Sequence, residues 1–252
     1  MNYLAQDVER ISQLDPDRPL MEDRAVELGE FLKLPTDQVR ALYRAYNIDK
    51  SIPIPTFDPS SFQTIIDGYT NPHAFKRDIS RLMLHYTRFA GAAELLTEVS
   101  THFSSTHPLS VVDYGCGAAD YGLAFAKAGH NVTLVDFEEK VAFASWRFTR
   151  RKLPVRQISV HANNEYPELH NVDLVIAGDL LEHVRDPVRV VQGVHSALRP
   201  NGLFWFPDFP FKEKSVGGHH LHEAAGLRAA AADVVNALFD RVSKLKHLVR
   251  KK

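Results

Sequence analysis

Val111-Val-Asp-Tyr-Gly-Cys-Gly-Ala-Ala-Asp-Tyr-Gly122 is the stretch on which the fold turns. Two adjacent valines lead into two glycines one residue apart, which predicts a strand, a tight turn and then a helix. Glycine lets the backbone turn with φ > 0 and lets a ligand approach where a Cβ would stand. The first N–H groups of the following helix then face that ligand. Asp136 stands 19 residues beyond Gly117 and closes the apolar run Val132-Thr-Leu-Val135. A carboxylate at the end of a second strand accepts hydrogen bonds from ribose hydroxyls and disfavours a 2′-phosphate. A glycine turn alone is weak evidence. Its position between strand and helix, with the acid at this distance, points to an adenosine-containing cofactor.

Further short apolar runs flank this stretch at 131–136, 156–160, 172–177 and 202–206. They alternate with amphipathic helical patterns, as in a parallel sheet covered by helices on both faces. After Phe206 no pair of strands is evident. Residues 222–248 predict one long helix with a basic tail of Lys244, Lys246, Arg250, Lys251 and Lys252, where cations favour the helix dipole. Before the sheet, residues 1–107 read as helices. Apolar residues recur at helical spacing in Leu4, Val8, Ile11 and Leu14, in Ala25, Leu28, Phe31 and Leu32, and in Val39, Leu42 and Tyr43. Pro35-Thr36 starts the third of these helices, the three prolines within 51–61 mark an extended connector, and 74–103 predicts one long helix.

Composition narrows the function. The chain has 252 residues, 44% apolar and 24% charged, with a formal net charge of −1. These values suit a globular protein without a global field for nucleic acid or an anionic membrane. Cys116 is the single cysteine, so no intrachain disulfide forms and a reducing compartment fits. The first residues lack a basic region followed by an apolar run, and no apolar stretch approaches the length of a membrane span. A cytoplasmic protein without membrane partners is the expectation. Residues 25–40 have the pattern of a helix-turn-helix, but residues 1–50 carry ten acids and seven bases. Phosphate binding needs the opposite balance, so a cap over an acceptor pocket or a homodimer surface is expected there, not nucleic acid.

The segment from 109 to about 206 resembles the class I S-adenosylmethionine (SAM)-dependent methyltransferase family. Asp113-Tyr-Gly-Cys-Gly117 is similar to the family's glycine motif, and Val135-Asp136 to its ribose-binding acid. Asp173-Leu-Val-Ile-Ala177 is similar to its fourth strand, Leu181-Glu-His-Val184 to the segment that follows, and Leu198-Arg-Pro-Asn-Gly-Leu203 to the start of its fifth strand. The resemblance implies a Rossmann-like α/β fold: an open, mostly parallel sheet with helices on both faces, preceded by an all-helical N-terminal cap. Residues 1–107 would be the cap or lid and 108–252 the SAM-binding domain. It implies SAM, not a nicotinamide, as cofactor. It also implies an enzyme moving the methyl of SAM to an O or N atom of a small-molecule acceptor, by in-line displacement with an acceptor-side base. Aminocarboxypropyl transfer or cyclisation releasing methylthioadenosine uses the same cofactor motif and stays open, as does a SAM-binding module without catalysis. Two departures stand out. Ala119 replaces the family's usual third glycine, which a negative φ would tolerate, and the closing pair of strands is missing.

Gly115, Gly117, Asp136 and the adjoining Phe137 are expected to hold the cofactor, with Asp113 near its amino group. Asn163, after the third strand, is placed at the adenine edge, mostly through backbone; a polar turn is its other reading. Tyr86 and Arg88, with Tyr69, would lie at the methionine end or the acceptor, since an arginine fork suits a carboxylate. Asp179 stands at the carboxyl end of the fourth strand, facing the crevice where ligands bind, or caps the helix that follows. His183 is expected to pack on that helix. Val216-Gly-Gly-His-His-Leu-His-Glu223 is the most unusual local sequence. His219 and His222 are candidate bases because imidazole titrates near neutrality. His220 and His222 have chelating spacing, but no metal is expected. Ala177-Gly-Asp-Leu180 stands where methyltransferases of base amines carry an Asn-Pro-Pro-Tyr type of motif.

Overall fold

The computed structural model describes residues 19–48, 51, 61–84, 89–103, 107–207, 225–243, 245 and 247–252. Five parallel strands form most of the sheet: β1 (Ser110–Tyr114), β2 (Asn131–Phe137), β3 (Arg156–Val160), β4 (Val172–Ile176) and β5 (Leu198–Trp205). Two short strands complete it, β6 (Phe239–Arg241) and β7 (Leu248–Lys251), and the order is β3-β2-β1-β4-β5-β7-β6. Strand order reverses between β1 and β4, and open α/β sheets bind ligands at the carboxyl ends beside such a switch point.

The side-chain period of two explains the burial on both faces. Val111, Leu134, Leu174 and Leu203 point into one core with helices α5 (Phe89–His102), α6 (Asp120–Lys127) and α7 (Glu138–Arg150). Their chain neighbours Val112, Val135, Val175 and Phe204 point into the other, against α8 (Pro187–Ala197) and α9 (Ala225–Leu238). Asp186 caps α8 by accepting the Arg189 N–H at 2.9 Å, with Pro187 as the first helical residue.

The N-terminal region is helical: α1 (Pro19–Leu32), α2 (Thr36–Tyr43), a π turn (Arg44–Ile48), α3 (Phe62–Thr70) and α4 (Pro72–Leu84). Leu28, Val39, Phe75, Ile79 and Met83 bury a third core against Ala118 and Phe143 of the sheet domain. Among the described residues, no helix is long and apolar enough to cross a membrane. The expected first helix, at Leu4 to Leu14, lies outside the described residues.

The helix expected over 74–103 is described as α4 and α5, with 85–88 outside the described residues. Three expectations are corrected. The missing pair of strands exists: α9 stops at Leu238, β6 follows at once, and β7 runs antiparallel to both β5 and β6. Arg250 and Lys251 of the basic tail therefore lie in a strand, not at a helix end. Lys251 Nζ donates to the Leu198 carbonyl at 2.7 Å. Strands of three and four residues are too short to display a period of two. Phe239 and Val242 meanwhile continue the helical spacing of Ala231, Val235 and Leu238. Ala119 has φ +56°, not a negative value, so a non-glycine residue sits in the left-handed region.

Candidate active site

A cleft opens at the carboxyl ends of β1, β2 and β4, roofed by α3 and α4. Its floor is the glycine turn. Gly115 and Cys116 donate to the Val135 carbonyl at 2.7 and 3.2 Å, and Ala119 donates to the Cys116 carbonyl at 2.6 Å. Gly115 has φ +71°, and a Cβ there would stand 2.8 Å from Leu180 Cδ1. Gly117 has φ +52°, and its Cβ would stand 2.8 Å from Leu82 Cδ1. Both line the cleft, so side chains at these positions would fill the space a ligand needs.

Asp136 stands at the rim. Its Oδ2 accepts from Gly117 N–H at 2.8 Å and its Oδ1 from Phe137 N–H at 2.7 Å, which fixes the carboxylate beside the turn. Phe137 stacks on Tyr69 of α3, with ring centroids 5.6 Å apart and 22° between planes. The Tyr69 hydroxyl meets His183 Nδ1 at 3.1 Å, and all three rings line the cleft. Burial pushes the Tyr69 phenol above its ordinary range, with the Asp78 carboxylate adding to it, so the group stays protonated.

The remaining expected residues divide. Asp179 lines the cleft with φ +49°. It does not cap a helix, because only a 3-10 turn (Leu181–His183) follows, and that turn starts from Leu180. Asp113 is buried behind the turn, where Oδ2 accepts Gly122 N–H at 2.9 Å, and it does not line the cleft. Asn163 is exposed and away from the cleft. Its neighbours Glu165 and Tyr166 supply the wall instead. Glu165 Oε1 accepts from Arg185 Nε at 2.9 Å, and that guanidinium sits 5.6 Å from the Phe62 ring centroid, tying two loops to α3. Tyr86, Arg88, His219, His222 and Glu223 lie outside the described residues.

The sequence reading missed a buried ion network beneath the turn. Asp120 opens α6, and its carboxylate takes Arg24 Nη1 and Nη2 at 3.2 and 3.0 Å and Arg147 Nη1 at 2.9 Å. Arg147, fully buried, also donates to Glu27 Oε1 at 3.1 Å and to the carbonyl of Ala118 within the turn. Arg151 Nη2 donates to Glu27 Oε2 at 3.0 Å. Burial alone would raise the Asp120 carboxyl, but Arg24 and Arg147 hold it down at about 2. Burial likewise opposes ionisation of Glu27, and Arg151 and Arg147 bring it to about 2. A signal was present: Arg147 occupies a core-facing position of α7 between Phe143, Ala144 and Phe148.

Residues 112–204 match the family model for a methyltransferase domain. The β1–β5 segment is thus similar to methyltransferase domains. SAM is the cofactor that this similarity implies. A ubiquinone biosynthesis O-methyltransferase of Hydrogenovibrio crunogenus is 30% identical over 115 residues, 44% of this chain and 47% of that protein. Its counterpart from Nitrosospira multiformis is 33% identical over 109 residues, 42% and 45% of the two chains. This chain thus spans about half the length of the curated relatives it matches. A SAM-dependent methyltransferase from Aquifex aeolicus superposes with a TM-score of 0.48 at 20% identity, covering 78% of this chain and 98% of that one. The site fits the cofactor: the turn leaves room where a Cβ would intrude, and the Asp136 carboxylate faces the same cleft as the Phe137 ring.

Proposed function

We propose that this chain transfers the methyl group of SAM to an oxygen or nitrogen atom of a small-molecule acceptor, with oxygen favoured. The observation that carries this reading is the cleft in which the glycine turn, the Asp136 carboxylate and the aromatic pair Tyr69 and Phe137 meet. The relatives are named O-methyltransferases, which supports oxygen as the acceptor atom. Residues 1–107 serve as the cap and 108–252 as the SAM-binding domain.

Bound there, SAM supplies a methyl group already activated by its sulfonium. The protein's work is orientation and exclusion of water. Asp136 receives the ribose hydroxyls, and Gly115 and Gly117 admit the backbone's close approach. Phe137 offers a flat apolar face. Tyr69 holds the imidazole of His183 at the cleft. Asp179, in the loop after β4, lines the cleft and is the residue proposed to take a proton from an acceptor hydroxyl. His219 and His222 remain proposed for the same task.

Calorimetric titration with SAM tests the site, and mass spectrometry of the nucleoside product after incubation with cell extract tests the reaction. Binding with S-adenosylhomocysteine as product is expected. Methylthioadenosine would move the chemistry to aminocarboxypropyl transfer, and absence of binding would overturn the reading.

A further inference from the structure

The roof of the cleft holds a buried guanidinium whose hydrogen bonds are incomplete. Arg77 of α4 lines the cleft and is only 6% exposed. Its Nε donates to Asp78 Oδ1 at 2.8 Å, and its Nη2 turns to the same oxygen. Its Nη1 is buried and has no hydrogen-bond partner among the described residues. Asp78 Oδ2 meanwhile faces Lys140 Nζ at 3.6 Å, so one carboxylate answers two cations. Lys140 lines the same cleft, with its Nζ 5.1 Å from the Tyr69 ring centroid.

A buried donor without an acceptor costs about 1–3 kcal/mol, and more on a charged group. Such a group persists where a ligand completes it. The planar fork of arginine matches a carboxylate.

We infer that Arg77, backed by Lys140, seats a ligand carboxylate in the roof of the cleft. This rests on the cleft being the SAM site. In the proposed reaction the carboxylate has two sources, the amino-acid end of SAM or an acid group on the acceptor.

The test uses the full chain and Arg77→Gln, with calorimetric titration of SAM and of decarboxylated SAM. If the cofactor is the source, the substitution weakens SAM by about 10–100-fold and leaves decarboxylated SAM unchanged. If the acceptor is the source, both affinities hold. Benzoate added to protein saturated with S-adenosylhomocysteine then raises the Tm of the original chain, benzamide does not, and Arg77→Gln loses the benzoate response. Arg77→Lys keeps the charge without the fork and should fall between; it takes the place of a glutamine variant that fails to fold. The seat is overturned if neither the carboxylate preference nor the benzoate response depends on residue 77. Failure of the original chain to bind either nucleoside would instead sink the assignment of the cleft itself.

Discussion

The floor and the roof of the cleft are built by different physics. The floor is backbone: two glycines at positive φ, a chain of N–H donors and one fixed carboxylate, resting on strands whose apolar residues alternate between two cores. The roof and its supports are joined to the floor by charge as well as by packing. Arg24 and Glu27 of α1 meet Asp120 and Arg147 beneath the turn, and Arg77 and Asp78 of α4 meet Lys140. The floor's geometry follows from local sequence, whereas the docking of α1 beneath it follows from partners 96 and 120 residues apart.

That contrast can be broken at its most buried point. Arg147→Ala should destabilise the protein by about 3–5 kcal/mol in urea denaturation, because Asp120 and Glu27 would keep their burial and lose a cation. A loss under about 1 kcal/mol would show that packing alone docks α1. Acid should act on the same network. Asp120 and Glu27 have folded pKa values near 2, below their unfolded values, so their contribution is present above about pH 4.5. It is lost as pH falls toward 2, roughly 2–3 kcal/mol for each carboxylate. Tm measured from pH 6 to pH 2 should fall mainly below 4.5; a flat profile would contradict the pairing. On the floor, Asp136→Ala should raise the Kd for SAM by about 10–100-fold, the loss of charge-assisted hydrogen bonds. Unchanged affinity would remove the ribose role. The smallest effect concerns Ala119, whose φ of +56° is uncomfortable for a residue with a Cβ. Ala119→Gly should stabilise by at most about 1 kcal/mol, since relief of left-handed strain is partly offset by glycine's extra unfolded-state entropy. A clear loss of stability would point to a packing role for that methyl.

What could be read from the sequence follows the same division. Gly115, Gly117 and Asp136 were legible because a tight turn and a strand end impose residue types at fixed spacing, and the five parallel strands because each is an apolar run between helical patterns. Asp113 matched the same motif, yet its carboxylate buttresses Gly122 from behind, a distinction of side-chain direction that spacing does not carry. Asn163 was placed by loop position, and the loop presents Glu165 and Tyr166 instead. β6 and β7 escaped because their identity comes from β5, which offers β7 an edge, and not from any pattern of their own. Arg77, between Lys76 and Asp78, escaped because a charged stretch reads as surface until its partners are known, whereas Arg147 left a signal in its core-facing position.

The bond from Arg147 to the Ala118 carbonyl has a consequence for how the molecule opens. One guanidinium holds α1 through Glu27 and the glycine turn through Ala118 and Asp120. Peeling α1 away strips the turn of its support, so both regions share a single opening event. In native-state hydrogen exchange the backbone amides of α1 and those of the turn would then exchange at one common free energy. A ligand gripping the turn would slow exchange in α1, on the far side of the arginine, by the same factor.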